Sequence, residues 1–131
     1  MNFAEENLAA ALRLAGAGIP VFPVKLFKYA TKWCKKPCIK DWQAIATTDE
    51  TRVRDWWDRY PSAVPGIPLG RCNLVVLDAD RHEDGPDGVT AYLQLAAEIK
   101  IPRHPITKTA GGGTHHVFRQ PSGHTLGNST G

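Results

Sequence analysis

The chain has 131 residues, 42% hydrophobic and 22% charged, which suits one folded domain and excludes a disordered chain or two ordinary domains. With 16 Lys and Arg against 13 Asp and Glu, the net charge of +3 is too small to indicate a nucleic-acid partner by itself, so any phosphate-binding surface must be local. Met-Asn-Phe-Ala-Glu-Glu lacks the charged and apolar segments of a secretory leader, and no apolar run approaches the ~18 residues of a membrane span; a cytoplasmic protein without membrane contact is expected.

In chain order, Ala4 to Ala17 reads as a helix, with Leu8, Ala11, Leu12 and Ala15 at helical spacing and Gly16 and Gly18 as its stop. Ile19-Pro-Val-Phe-Pro-Val24 is a short apolar strand whose prolines place it near a sheet edge. Lys25 to Lys40 has no clean period and reads as loop. Trp42 to Ala46 predicts a short helical piece. Thr48 is expected to cap a helix reaching about Tyr60, with Val53, Trp56 and Trp57 on its apolar face. Pro65 to Gly70 follows as a short strand. Asn73 to Leu77, the most apolar run, predicts a central strand buried on both faces. After a Glu83–Gly88 loop, a helix from Val89 to about Lys100 should use Leu93, Ala96 and Ala97. Two strands, Ile106–Thr109 and His115–Arg119, flank Gly111-Gly112-Gly113, and the Gln120–Gly131 tail has no core residue after Leu126.

Three groups of residues carry candidate chemistry. Lys25, Lys28, Lys32, Lys35, Lys36 and Lys40 have no acid among them; such a stretch attracts phosphates, or is a solvated loop. Cys34, Cys38 and Cys72 are odd in number and read as free thiols; zinc would need Cys72 and His82, or another histidine, to join the first two. Asp78 and Asp80 end the apolar strand two residues apart, so both carboxylates face one way. Such a pair repels itself unless a cation sits between, and hard ions such as Mg²⁺ or Mn²⁺ suit oxygen ligands; the bland alternative is an acidic loop. In Thr109-Ala-Gly-Gly-Gly-Thr-His115 the glycines let backbone N–H groups approach a phosphate, and His115 stands beside them; a plain hairpin turn is the alternative. Alternation sets His115, Val117 and Arg119 on one face and His116 and Phe118 on the other.

The ordered series Gly18-Ile-Pro-Val-Phe-Pro23, Lys36-Pro37, Trp42, Ala46-Thr-Thr-Asp49, Trp56-Trp57, Pro61, Gly70, Leu74-Val-Val-Leu-Asp-Ala-Asp80 and Thr109-Ala-Gly-Gly-Gly-Thr-His115 resembles the N-terminal domain of bifunctional DNA primase–polymerases. That family belongs to the archaeo-eukaryotic primase superfamily and is common in phages and plasmids. The resemblance spans roughly Ala4 to Phe118. It implies an α/β (α+β) catalytic fold related to the RNA-recognition motif, with a mixed sheet flanked by helices, over one domain at 1–131. It implies template-directed nucleotidyl transfer for primer synthesis and extension, with Asp78 and Asp80 holding Mg²⁺ or Mn²⁺. His115 would contact the nucleotide, as would Gly111, Gly112 and Gly113, and Lys36 a phosphate. Single-stranded DNA and nucleoside triphosphates are the implied partners, with a C-terminal helicase domain in the parent protein.

Two departures stand out: Gly111 replaces the family's usual Ser and Thr114 its frequent basic residue. No Asp or Glu follows Glu98, so the family's third carboxylate is missing; C-terminal truncation and an inactive fragment are the expectation. Two rivals remain, a single-stranded nucleic-acid-binding module without catalysis and an Asp-x-Asp metal-dependent glycosyltransferase.

Overall fold

The computed structural model describes residues 2–81, 85, 87–123 and 126–127. They fall into two compact units, Met1–Cys72 and Asn73–Gly131. Helices and strands together give the α/β class that the sequence predicts. The described strands pair in two three-stranded sheets, both antiparallel, where one mixed sheet was expected.

In the first unit, α1 (Phe3–Gly16) starts at a capping box: Asn2 accepts from the Glu5 N–H, and the Glu5 carboxylate accepts from the Asn2 N–H. Ala11 and Ala15 are buried on the side that meets α3 (Glu50–Arg59), whose Val53, Trp56 and Trp57 complete the core with Val21, Phe22 and Val24. The α3 cap is Asp49, not Thr48: its carboxylate accepts from Thr51 N–H, while Thr47 Oγ1 takes the Asp49 N–H. Trp57 Nε1–H donates to the Ala63 carbonyl at 3.0 Å, which lets a buried indole satisfy its polar edge. The short α2 (Trp42–Ile45) is held by Arg71, whose Nη1 donates to the Gln43, Ala44 and Ala46 carbonyls, and Trp42 stacks on Phe22 at 4.6 Å.

Two expectations for this unit need correction. The Lys25–Lys40 segment is not loop. It forms most of a hairpin, β1 (Phe22–Tyr29) with β2 (Lys32–Pro37), in the sheet order β2-β1-β3, where β3 is Val64–Gly66. Alternation failed to announce it because beyond Val24 most side chains are exposed, so no face is marked apolar. Its turn uses Ala30 at φ 55 rather than Gly or Asn. The prolines do not mark a sheet edge. β1 is the central strand, and Pro23 is tolerated there because it faces Pro65 across the ladder while its carbonyl turns the other way, accepting from Cys38 N–H. A Pro–Pro pair at a non-hydrogen-bonded position asks for no N–H from either strand.

In the second unit the sheet order is β4-β6-β5, with β4 at Leu74–Ala79, β5 at Ile106–Lys108 and β6 at Thr114–Arg119. Among the described residues β4 is therefore an edge strand, not the central strand expected from its apolar run, and β6 takes the middle. The strand is half-buried rather than buried on both faces, because only one face is covered by α4 (Gly88–Glu98). That helix begins at Asp87, whose carboxylate accepts from the Val89 and Thr90 N–H groups and from the Thr90 hydroxyl. Its covered side carries Val89, Tyr92 and Ala96; Leu93, expected to pack, is 60% exposed. Half of the predicted Glu83–Gly88 loop (residues 83, 84 and 86) and the end of the tail lie outside the described residues.

Candidate active site

The second sheet sorts its residues by face. Antiparallel register pairs Asp78 with His115, Val76 with Val117 and Leu74 with Arg119, while Ala79 pairs with Thr114 and Leu77 with His116. Directly paired residues share a face, so Asp78 and His115 project together from the side opposite the one that packs under α4. The alternation read from the sequence thus holds, and it parts the two neighbouring histidines. His115 Nε2 lies 3.3 Å from Asp78 Oδ1, with both side chains partly exposed. On protonation the imidazole becomes an ion-pair partner for the carboxylate.

Asp80 follows the last residue of β4 and so lies past the ladder. Two glycines hold it instead. Gly88 N–H donates to the Asp80 carbonyl at 2.7 Å, and a methyl group on Gly88 would stand 2.7 Å from that oxygen. From the other flank Gly113 packs so closely that a methyl there would stand 2.5 Å from the Ala79 carbonyl and 3.2 Å from Asp80 Oδ1. The backbone can come this near only because neither residue has a Cβ. Gly88 is not singled out by the sequence, which shows it only as the end of the Glu83–Gly88 loop; the available signal is its place in Asp-Gly ahead of a helix.

The glycine turn is built from its own hydrogen bonds. Gly113 N–H donates to Thr109 Oγ1, Gly112 N–H to the Thr109 carbonyl, and Thr109 N–H to the Gly113 carbonyl. Gly112 takes φ +86, a conformation glycine adopts without strain. The N–H groups of Gly112 and Gly113 therefore serve the turn, and Gly111, with no heavy atom near its absent Cβ, is the open point of the loop.

Behind the site, on the α4 side, sits a polar cluster not anticipated from the sequence. His116 is 3% exposed, stacks on Tyr92 at 3.7 Å and lies between His104 Nε2, 2.9 Å from its Nδ1, and Thr114 Oγ1, 2.8 Å from its Nε2. His104 Nδ1 is 2.7 Å from the Pro102 carbonyl, which only accepts, so Nδ1–H donates and the neutral ring's Nε2 accepts. His116 then donates through Nδ1 and accepts the Thr114 hydroxyl at Nε2. Burial first, then the fields of His104 and His115, push the His116 pKa down. The lowered pKa favours the neutral His116 ring, and its two hydrogen bonds fix the tautomer. The residues were visible singly, but nothing in their spacing brings positions 92, 104, 114 and 116 together.

Lys36 belongs to the first unit, on β2, where it lines an open depression of about 510 Å³ together with Lys40 and Trp42. Among the described residues no group of three or more His, Cys, Asp or Glu side chains is arranged to hold a metal ion. Cys34, Cys38 and Cys72 are free thiols, and burial raises the pKa of Cys38 and of Cys72; the fourth zinc ligand considered, His82, lies outside the described residues.

The family model for the bifunctional DNA primase/polymerase N-terminal domain matches residues 11–131. The chain belongs to this family. No curated protein and no solved structure matches it. Membership supports a function of the DNA primase/polymerase type; proteins of this family are nucleotidyltransferases, generally metal-dependent, that use nucleotides and a DNA template. Among the described residues no helix is long and apolar enough to cross a membrane.

Proposed function

We propose that the face carrying Asp78 and His115 is the nucleotidyl-transfer site of this primase/polymerase domain, used for primer synthesis and extension on single-stranded DNA. The observation that carries the reading is the register pairing of Asp78 with His115, which sets a carboxylate and an imidazole 3.3 Å apart on one open sheet face. Asp78 and Asp80 offer only oxygen donors and are both exposed, a donor set that fits a hard divalent cation such as Mg²⁺ or Mn²⁺ and not a thiophilic one. Two protein carboxylates leave coordination positions for water and for triphosphate oxygens, as Mg²⁺ sites beside phosphates commonly do. When bound, the cation would neutralise triphosphate charge and acidify the attacking hydroxyl.

The chain's own residues then divide the work. Asp78 and Asp80 hold the cation, with Asp80 fixed between Gly88 and Gly113. His115 donates to a triphosphate oxygen, and its place beside Asp78 sets the nucleotide contact next to the cation. The loop around Gly111 adds backbone approach.

The test is primer synthesis on single-stranded DNA by the full-length parent protein, paired with thermal stabilisation of the 131-residue chain by Mn²⁺ and deoxynucleoside triphosphate. Asp78→Asn and Asp80→Asn should each cost roughly a hundredfold or more in synthesis and remove the stabilisation, with the melting temperature of the ligand-free protein little changed. Synthesis or stabilisation that survives both substitutions refutes the assignment. A stabilising response to sugar nucleotides alone would point to glycosyl transfer instead.

A further inference from the structure

The β1–β2 hairpin is the part of the first unit that its core does not use. Phe22, Pro23 and Val24 are buried, yet beyond them β1 and β2 are exposed or at most half-buried. Register places Lys25, Phe27 and Tyr29 with Lys36, Cys34 and Lys32 on one face. The other face carries Leu26 and Lys28 with Lys35 and Trp33. Each face thus mixes cations with apolar rings or chains, and no Asp or Glu occurs from Pro20 to Lys40. Tyr29 is 77% exposed and Trp33 49%, and the Lys28 ammonium stands 5.1 Å from the centre of the Trp33 ring.

We infer that this hairpin is a binding surface for single-stranded DNA, with Trp33 and Tyr29 stacking on bases and Lys28, Lys32 and Lys35 meeting phosphates. Exposed rings among unopposed cations are what an unpaired strand requires, since every base offers a π-face and every nucleotide a negative charge. Duplex DNA keeps its bases stacked and would use the lysines alone. A flat anionic bilayer suits a ribbon with one apolar and one basic face, whereas this ribbon is basic on both, as suits a flexible strand that passes around it. The inference deepens the proposed function by saying where a template strand is gripped, but it concerns residues outside the Asp78 site.

Its test therefore uses neither metal nor triphosphate, so its failure and that of the metal-site reading are separable. The 131-residue chain is titrated against a fluorescein-labelled oligo(dT) by anisotropy from ~50 to ~200 mM salt, the range over which phosphate contacts lose strength. Trp33→Ala and Tyr29→Ala should each weaken binding by about fivefold or more, and Trp33→Phe should restore most of the loss. Replacing Lys28, Lys32 and Lys35 together by Ala should lower the slope of log K against log salt by about 2, near 0.7 for each phosphate contact on a single strand. Thermal melts confirm that the variants stay folded. Wild-type affinity and slope in all of them, absence of binding by the wild type, or preference for duplex DNA or for phosphatidylserine vesicles would overturn the inference.

Discussion

Alanine placed in turn at Gly111, Gly112 and Gly113 separates three roles that a run of glycines can have. At Gly111 nothing lies within 4 Å of the added methyl and φ is outside the left-handed region, so the change should be neutral or stabilise by about 0.4–1 kcal/mol through the unfolded chain. At Gly112 the space is equally open but φ is +86; forcing a Cβ into a left-handed conformation should cost about 1–2 kcal/mol. At Gly113 the methyl would stand 2.5 Å from the Ala79 carbonyl and 3.1 Å from Asp80 Cα, both backbone atoms that cannot swing aside. The end of β4 must move away from the turn, an overpacking cost of about 1–3 kcal/mol, and Asp80 moves with it. Urea unfolding gives the stabilities, and Mn²⁺-dependent nucleotide binding reports the site. Gly112→Ala and Gly113→Ala should look alike in stability, but only Gly113→Ala should lose metal-dependent binding, by about tenfold or more. If Gly113→Ala binds as the wild type does, or if Gly111→Ala is the damaging change, then the close approach is not what holds Asp80.

Stability should also depend on pH through His116. Its folded pKa lies below the ordinary value of about 6.5, so between the two the unfolded chain binds a proton that the folded chain refuses. The His116 contribution is therefore whole above pH ~6.5 and is lost as pH falls through the folded value. The difference in unfolding free energy between the wild type and His116→Asn should shrink from pH 7.5 to 5.5 in urea titrations; a constant difference would remove the buried neutral ring from the account. In the first unit, Trp57→Phe leaves the Ala63 carbonyl without its buried donor and opens space beside Val53, at a cost of about 2–3 kcal/mol. A loss below ~1 kcal/mol in urea unfolding would mean that water replaces the indole there.

The amino-acid sequence alone determined the helix spans of α1 and α3, the strand that leads to Asp78 and the face shared by His115, Val117 and Arg119. Apolar periodicity, capping residues and alternation are local signals, and residues near in sequence carry them. It also carried the family, through motifs in a fixed order. Tertiary structure decided what depends on neighbours distant in the chain. An apolar run shows that Leu74–Leu77 is a strand but not how many partners it has, and β6 rather than β4 took the middle position. Prolines suggest an edge, yet Pro23 sits in a central strand because another proline faces it. The Lys25–Lys40 hairpin was hidden because strands with no buried face leave no period to read. The clamp on Asp80 and the cluster around His116 were hidden for a related reason: Gly88 and Gly113, like Tyr92, His104 and the Thr114–His116 pair, are set far apart along the chain, and only tertiary packing within the second unit brings them within hydrogen-bonding or van der Waals distance.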